Sequence, residues 1–300
     1  MEKKDVVIVD NITKDYGLGR GNFNISFNIK DGEAVGIVGE NGAGKTTLMR
    51  QFMGFIKPNS GKITIYGLDA YKDAAEVKNY VGYVPGEINY PDVKSGIIFL
   101  NSYAKMCGVT DFTYADSLIK RLQLDIRAYP KRMSKGMKQK TAIVTALMKK
   151  PPLVLLDEPT TGLDPLMRDE LLNIILEEKQ KGTTIFMSSN SIEELEKVCD
   201  KVILISNGKI LDVAELDVIR NIDFRDYKIE FNKKEEYLKF IEGRKDIIRL
   251  QDIYNQATVR VKKEDITELL QTLTNYDLRF ISQLKYDLAK YFDERRKGGN

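Results

Sequence analysis

The sequence at residues 39–46 is Gly39-Glu40-Asn41-Gly42-Ala43-Gly44-Lys45-Thr46, which matches the pattern G-x-x-x-x-G-K-[ST]. The run before it, Ala34-Val35-Gly36-Ile37-Val38, is short, apolar and bounded by glycines, and it predicts a buried strand. Residues 45–52 have the pattern of a helix. Because the loop lies between a predicted strand and a predicted helix, it is in the context that identifies a phosphate-binding P-loop.

The chemistry of this loop points to a nucleotide and its metal ion. The glycines allow successive backbone N–H groups to curl around phosphate oxygens, and the start of the helix adds partial positive charge. We expect Lys45, as a surface group, to reach the β- and γ-phosphates of ATP, and the Thr46 hydroxyl to bind Mg²⁺. The alternative is a glycine-rich turn without a ligand.

Two carboxylates follow a second apolar run, in the stretch Leu153-Val154-Leu155-Leu156-Asp157-Glu158-Pro159. Such a run is typical of a strand inside a parallel sheet, and open α/β sheets bind their ligands at the carboxyl ends of these strands. We expect Asp157 to contact Mg²⁺ directly or from its second shell, and Glu158 to orient or deprotonate the attacking water. Alone, the pair can also be a strand end that reaches solvent; the P-loop favours the functional interpretation.

Further segments predict a doubly wound α/β domain over residues 1–220. Strand or helix patterns occur in the following segments: strands 62–66, 183–188 and 201–206, and a helix at 191–198. Asn207-Gly208 predicts a hairpin with a type I′ turn. Residues of about 90–150 look mostly helical, so we expect a helical subdomain inserted into a P-loop NTPase-type core.

The pattern restarts near residue 222 and predicts a small accessory α+β domain over residues 225–300. Its predicted elements alternate along the chain: strands 227–231, 247–251 and 257–261, and helices 234–241 and 265–273. No catalytic constellation is visible in it.

Composition and charge argue against several classes of protein. The chain has 300 residues, is 42% hydrophobic, and carries a net charge of +3, which is too small to argue for nucleic-acid binding. No run approaches the roughly 18 apolar residues of a membrane span, and we expect no secretion signal in the charged start. Cys107 and Cys199 form no CxxC pair and fit a reduced cytosolic compartment without a zinc site. The chain has no histidine.

Three further motifs make the chain resemble the ATP-binding cassette (ABC) proteins. Thr161-Gly162-Leu163-Asp164-Pro165 follows Glu158 as the D-loop of that family does. Met133-Ser134-Lys135-Gly136-Met137-Lys138-Gln139 is similar to the family's signature motif, and Lys14-Asp15-Tyr16-Gly17 resembles its adenine-stacking segment. The motifs occur in the family's order, and the resemblance covers about residues 4–220.

The resemblance implies how ATP is held. Tyr16 would stack on the adenine. The phosphates would be surrounded by the loop and the first helical residues, namely Asn41, Gly42, Ala43, Gly44, Lys45, Thr46 and Thr47. Two such subunits would close around ATP as a dimer, in which Ser134, Gly136 and Met137 of one subunit touch the nucleotide held by the other.

The residues themselves also favour an anion near the signature segment. Ser134 is a natural N-cap for a helix over 137–148. Lys135, Lys138 and Lys140 place cations in the first turns, where the helix dipole disfavours them. A bound anion would relieve this conflict; alternatively, the lysines extend into water.

Two positions depart from the family. A glutamine normally follows the segment that is Tyr83-Val84-Pro85 here, but this chain has Gly86 and Glu87, and Glu87 is either a metal contact or a surface-loop residue. The family's switch histidine would stand at Asn190, whose amide can hydrogen-bond the γ-phosphate but cannot take up a further proton at neutral pH. With Glu158 and Asn190 as the catalytic residues, we expect ATP to bind well and to be hydrolysed slowly.

The resemblance implies a cytoplasmic ATPase subunit, peripheral on the inner face of the cell membrane, that dimerises on ATP and powers an exporter. Lys135 and Met137 in the signature favour the exporter type associated with peptide, drug or immunity systems. The expected partners are a membrane-spanning permease on a separate chain and a second nucleotide-binding subunit, identical or different, and no nucleic acid. The alternatives are a non-hydrolysing regulatory cassette, favoured only by Asn190, and a cassette protein acting on ribosomes or DNA.

Overall fold

The computed structural model describes residues 3–298, and the side chains of residues 3–295. These residues form two compact units, and the division lies between Leu216 and Asp217. No helix within the described residues combines the length and the apolar character that a membrane span requires.

The first unit contains the P-loop and both predicted carboxylates. Its strands are β1 (Asp5–Asp15), β2 (Gly21–Lys30), β3 (Ala34–Val38), β4 (Ser60–Ile65), β5 (Leu68–Asp69), β6 (Val81–Val84), β7 (Leu153–Asp157), β8 (Thr184–Ser189), β9 (Lys201–Ser206) and β10 (Lys209–Glu215). Its helices are α1 (Lys45–Phe52), α2 (Ala74–Tyr80), α3 (Gly96–Met106), α4 (Thr113–Arg121), α5 (Lys135–Leu147), α6 (Pro165–Gln180) and α7 (Ile192–Val198), and α8 (Leu216–Arg220) begins where the unit ends.

The central sheet of the first unit brings the predicted catalytic segments to one edge. Its strand order is β10-β9-β3-β8-β7-β6, and all neighbours are parallel except the hairpin of β9 and β10. Every residue of β3, β7 and β8 is buried, as their continuous apolar runs require. Because β3, β8 and β7 are adjacent and parallel, the loops that follow them meet at one edge, and the predicted α/β core is confirmed.

A second, antiparallel sheet in the order β2-β1-β4-β5 belongs to the same unit. Aromatic side chains connect it to the central sheet through α1: the ring of Phe52 on α1 lies 5.0 Å from that of Phe186 on β8, and Phe27 on β2 lies 5.5 Å from Phe186. These rings are buried or partly buried in one apolar cluster. The packing therefore fixes the helix whose first residue is Lys45.

Helices α3, α4 and α5, with a 3-10 turn at Pro130–Arg132, form the helical segment expected over about residues 90–150. Ser134 caps α5, since its Oγ accepts a hydrogen bond from the Met137 amide at 3.2 Å. The predicted N-cap is confirmed, although the helix begins at Lys135 and not at residue 137. The predicted type I′ hairpin turn is also confirmed: Asn207 and Gly208 have φ values of 47° and 71°.

The second unit has the element order βαββαβ followed by a helix. Its elements are β11 (Phe224–Phe231), α9 (Lys234–Ile241), β12 (Ile247–Gln251), β13 (Gln256–Lys262), α10 (Ile266–Leu273), β14 (Leu278–Leu284) and α11 (Leu288–Gly298). The sheet order is β12-β13-β11-β14, and every neighbouring pair is antiparallel. This order is that of two interleaved split βαβ units, the ferredoxin-like arrangement.

A buried charge network joins α11 to the sheet of the second unit. Asp226 on β11 is fully buried, and Arg260 on β13 donates to its two carboxylate oxygens at 2.8 and 2.9 Å. Lys290 on α11 also donates to Asp226, and Arg260 bonds Glu294 of the same helix at 2.7 Å. Burial raises the pKa of the Asp226 carboxyl, but the hydrogen bonds from Arg260 and Lys290 outweigh it and hold the pKa below its usual value.

Candidate functional site

The P-loop leads from β3 into α1, and a buried polar pair holds its last turn. Gly44 has a φ of 107°, and a Cβ at this position would lie 2.5 Å from Asn22 Nδ2, so the site requires glycine. Asn22 Nδ2 donates to the Gly44 carbonyl at 3.1 Å, and Gln51 Nε2 donates to Asn22 Oδ1 at 2.9 Å. Both amides are buried. Sequence reasoning missed this pair, because a polar residue inside a strand pattern does not reveal its partner.

The side chain of Lys45 points into the curl of the loop. Its Nζ donates to the Gly39 carbonyl at 2.7 Å, the Glu40 carbonyl at 3.3 Å and Asn190 Oδ1 at 2.8 Å. The ammonium also lies 3.6 Å from Glu158 Oε1. Lys45 is only 5% exposed, so the expectation of a surface lysine was wrong. The reason is that the carbonyls of the loop and two side chains from neighbouring strands surround the ammonium.

Ser188 on β8 organises the two carboxylates at the end of β7. Its hydroxyl donates to Asp157 Oδ1 at 2.7 Å and accepts from the Glu158 amide at 2.9 Å. Glu158 takes a left-handed conformation with a φ of 48°, which turns the chain after the strand. Burial, and next the charge of Asp157, raise the pKa of the Tyr83 hydroxyl on β6, so this neighbour stays protonated.

The Asn190 amide bridges the P-loop and the acidic strand end. While its Oδ1 accepts from Lys45, its Nδ2 donates to Glu158 Oε1 at 2.9 Å and to Asn41 Oδ1 at 3.3 Å. The two predicted catalytic residues, Glu158 and Asn190, are therefore in direct contact although 32 positions separate them in the chain. An amide suits this place because it offers an acceptor to the cation and donors to the carboxylate.

Most residues predicted to hold ATP line one cavity of about 400 Å³. Its lining includes the predicted residues Tyr16, Asn41, Gly42, Gly44, Lys45, Thr46, Thr47 and Glu158. Ala43 is not in this lining and is buried. The Tyr16 ring is half-exposed, and Lys14 Nζ lies 5.3 Å from its centroid. Arg20 and Gly21 also line the cavity; sequence reasoning missed both, since no pattern marks them.

The site fits a magnesium ion. Asp157 is fully buried, and its Oδ2 has no hydrogen-bond partner among the described residues. Such an oxygen is costly to bury unless a cation or ordered water contacts it. The Oδ2 faces Gly86, where an added Cβ would come within 3.1 Å. Thr46 lines the cavity that Glu158, the neighbour of Asp157 in the chain, also lines, and Asp157 and Thr46 are the residues that would hold Mg²⁺.

Glu87 differs from Asp157 in that its side chain is exposed and forms an ion pair with Arg50. Its side chain is 85% exposed, and Oε2 is 3.9 Å from the Arg50 guanidinium. The structure thus describes it as a surface-loop residue, and its role as a metal contact stays a prediction.

The signature residues Ser134, Gly136 and Met137 are not among the described residues that line the cavity. Gly136 instead packs against the D-loop of the same chain, where an added Cβ would lie 2.6 Å from the Gly162 carbonyl oxygen. Their contact with a nucleotide held by a second subunit stays a prediction.

Comparisons with known proteins agree with this geometry. A family model described as "ABC transporter" matches residues 23–161. The bacitracin transport ATP-binding protein BcrA of Bacillus licheniformis is 30% identical over 262 residues, which cover 85% of this chain and 84% of that protein. The linearmycin resistance ATP-binding protein LnrL of Bacillus subtilis is 35% identical over 210 residues, 68% of each chain.

Solved structures are similar over about 70% of this chain. An ATP-binding subunit of an ABC transporter superposes with a TM-score of 0.66 at 30% identity, covering 72% of this chain and 92% of that chain. A dimeric structure of the cassette MJ0796, in a post-hydrolysis state with ADP and Pi, superposes with a TM-score of 0.62 at 23% identity, covering 70% of this chain and 98% of that chain. At this identity, the similarity to the MJ0796 cassette shows that the fold is shared.

Proposed function

This chain belongs to the ABC transporter ATP-binding proteins, and we therefore propose that it hydrolyses ATP to power a membrane exporter carried on a separate chain. The observation that carries the proposal is the contact of Asn190 with both Lys45 and Glu158, two residues from distant segments that line one cavity at the edge of the sheet. A glycine-rich turn without a ligand would not need this arrangement.

Each residue has a defined part in the proposed hydrolysis. Lys45 binds the β- and γ-phosphates, and Glu158 takes a proton from the water whose oxygen attacks the γ-phosphorus as the bond to ADP breaks. One N–H of the Asn190 side-chain amide donates to the Glu158 carboxylate, and the other N–H would donate to the γ-phosphate. Thr46 and Asp157 would hold Mg²⁺, which when bound neutralises charge on the phosphate oxygens.

The proposed assembly is a dimer peripheral to the inner face of the membrane, in which Ser134, Gly136 and Met137 close over the partner's ATP. The names of two relatives, a bacitracin transport protein and a linearmycin resistance protein, support a peptide or drug as the exported substrate. The permease would be the membrane partner, and the second nucleotide-binding subunit would be a copy of this chain or a related one.

Two measurements on the full-length chain test this function. The purified chain should release phosphate from ATP only in the presence of Mg²⁺, and a tagged chain extracted with detergent from membranes of its host should carry a membrane-spanning protein in near-equal amount. Co-sedimentation with ribosomes or DNA, with no membrane protein, would favour the rival cassette class and overturn the proposal.

A non-hydrolysing regulatory cassette is the second candidate, and the contacts of Asn190 favour it. Its amide oxygen lies 2.8 Å from Lys45 Nζ and its nitrogen 2.9 Å from Glu158 Oε1, so it holds both groups but cannot take up or release a proton near neutral pH. In such a cassette, ATP would bind and close a dimer but turn over too slowly to drive transport.

Replacing Asn190 by histidine separates these candidates. An imidazole can carry a proton near neutral pH, so Asn190→His should raise the rate of phosphate release by about three- to tenfold, a small part of the range for acid–base groups. ATP affinity should change little, because the P-loop is unaltered. Adding Glu158→Gln should abolish the gain. A fast parent that histidine does not improve would show that Asn190 already serves hydrolysis fully.

We also propose that the second unit is an accessory domain for dimer contact or regulation. Its core is its own: buried side chains of the β11 and β13 strands pack with α9 and α10 in one apolar cluster. The residues that line the ATP cavity all belong to the first unit.

A chain that ends at Asn221 should therefore stay soluble and bind ATP with an affinity within about twofold of the parent. Titration with a fluorescent nucleotide measures this, and size-exclusion chromatography reports whether self-association weakens. If the shortened chain aggregates and no longer binds nucleotide, the second unit completes the core of the first and is not accessory.

A further inference from the structure

A buried carboxylate outside the cavity contacts both catalytic segments. Glu194 on α7 is 6% exposed and is not among the described residues that line the cavity. Its Oε2 accepts hydrogen bonds from Ser189 Oγ at 2.7 Å and from Thr160 Oγ1 at 2.9 Å. Ser189 directly precedes Asn190, and Thr160 follows Glu158 by two positions. One carboxylate thus joins the end of β8 to the segment after β7.

The second oxygen of Glu194 extends this link to α6. It lies 3.5 Å from Nε of Arg168, whose side chain is 48% exposed, so the carboxylate is compensated in part by a solvated cation. Helix α6 begins at Pro165, the last residue of the D-loop, where Asp164 caps it by accepting from the Met167 amide at 3.0 Å. The same carboxylate therefore contacts the segments on both sides of the D-loop.

The link determines where the Asn190 side chain lies. Ser189 Oγ donates to Glu194 and also accepts from the Ser191 amide at 2.9 Å. The two residues that flank Asn190 are therefore held through one hydroxyl group. Asn190 in turn contacts Glu158 and Lys45. A buried carboxylate costs free energy unless its partners compensate it, and an apolar side chain would fill the same space at lower cost if packing were its only purpose.

We infer that Glu194 is a positioning residue for ATP hydrolysis. By holding Ser189 and Thr160 together, its carboxylate sets the distance between the Asn190 amide and the Glu158 carboxylate. The inference rests on the proposed hydrolysis by this site. Since Glu194 contacts no residue of the P-loop at 39–46, it acts on the rate of the chemical step and leaves nucleotide affinity unchanged.

The test compares Glu194→Gln with Glu193→Gln, a change of the same kind at an exposed position of the same helix. Glu194→Gln replaces the charged acceptor of both hydrogen bonds by a neutral amide oxygen, which weakens them. It should lower kcat about tenfold, because the reacting groups are held less well, while KM for ATP stays within about twofold. The control should keep both constants. An unchanged kcat in Glu194→Gln, or a rise in KM with kcat preserved, would overturn the inference.

Ser189→Ala removes entirely the Ser189–Glu194 hydrogen bond that Glu194→Gln weakens, and it guards against a folding defect of the first variant. It should lower kcat to at least a similar extent, and the loss in the double variant should be smaller than the product of the two single losses, because both changes act on the Ser189–Glu194 hydrogen bond. Full additivity of the two losses would mean that Glu194 does not act through Ser189.

A measurement that needs no turnover separates this inference from the proposed function. In protein labelled with ¹⁵N on asparagine side chains, the Asn190 amide resonances, assigned with Asn190→Ala, should shift in Glu194→Gln and stay in place in Glu193→Gln. Absence of phosphate release from the parent would overturn hydrolysis alone, whereas unshifted Asn190 resonances would overturn the positioning role.

Discussion

Glu158→Gln should lower the rate of phosphate release by about 10²–10⁴-fold, the range typical of a lost general base or water-positioning group. The glutamine keeps the shape of the side chain. Its carbonyl oxygen can still accept from Asn190 Nδ2, which in the parent lies 2.9 Å from Glu158 Oε1. ATP affinity should hold or increase, because a negative charge 3.6 Å from the Lys45 ammonium is removed beside the phosphate site.

Steady-state phosphate release and equilibrium nucleotide binding, measured on the same preparation, test this expectation. The exposed Glu193→Gln variant controls for the loss of one carboxylate on the surface. If Glu158→Gln turned over ATP as fast as the parent, the base would be another group, and the assignment of Glu158 would be wrong.

Lys45→Ala should weaken ATP binding by about 10- to 100-fold, since charge-assisted contacts to phosphate contribute about 1.5–3 kcal/mol each. The burial of Lys45 adds a second consequence that a surface lysine would not have. Removing the ammonium leaves the Gly39 carbonyl and Glu158 without this partner inside the loop. We therefore also expect a lower melting temperature.

Titration with a fluorescent nucleotide and a thermal melt measure the two effects separately. Lys209→Ala, at an exposed position of β10, is the matched control and should change neither. Unchanged ATP affinity in Lys45→Ala would contradict the identification of residues 39–46 as the nucleotide loop.

The parts of the site that depend on local sequence could be predicted. The strand Ala34–Val38, the helix Lys45–Phe52 and the acidic end of Leu153–Asp157 lie where their patterns indicated, because a buried parallel strand and a glycine-rich loop each have a local signature. The parallel order of β3, β8 and β7 then brings Glu158 and Asn190 together.

Features that depend on contacts between distant segments could not be predicted. The burial of Lys45 results from oxygens of Asn190 and Glu158, more than 100 positions away, and the Asn22–Gln51 pair joins a strand to a helix across the core. Arg20 lines the cavity from the connection between β1 and β2, and no sequence motif marks that connection.

Two secondary-structure elements of the second unit also could not be predicted from local sequence patterns. Its strand Leu278–Leu284 was not predicted: most of its residues are exposed, so it lacks the alternation of a half-buried strand. Helix Leu288–Gly298 was also missed, because it has few apolar residues; it buries Leu288 and Phe292 and contacts the sheet through the charged groups of Lys290 and Glu294.

The pairing of β11 with β14 places Asp226 opposite Leu284, so the first strand of the second unit begins beside the place where its last strand ends. A sheet that begins and ends at neighbouring positions can be placed within another chain without rerouting the remaining polypeptide. A reporter protein fused after the sheet of this unit would start close to where that sheet begins, near residue 224. The architecture is thus suited to modular gain, loss and exchange among related chains.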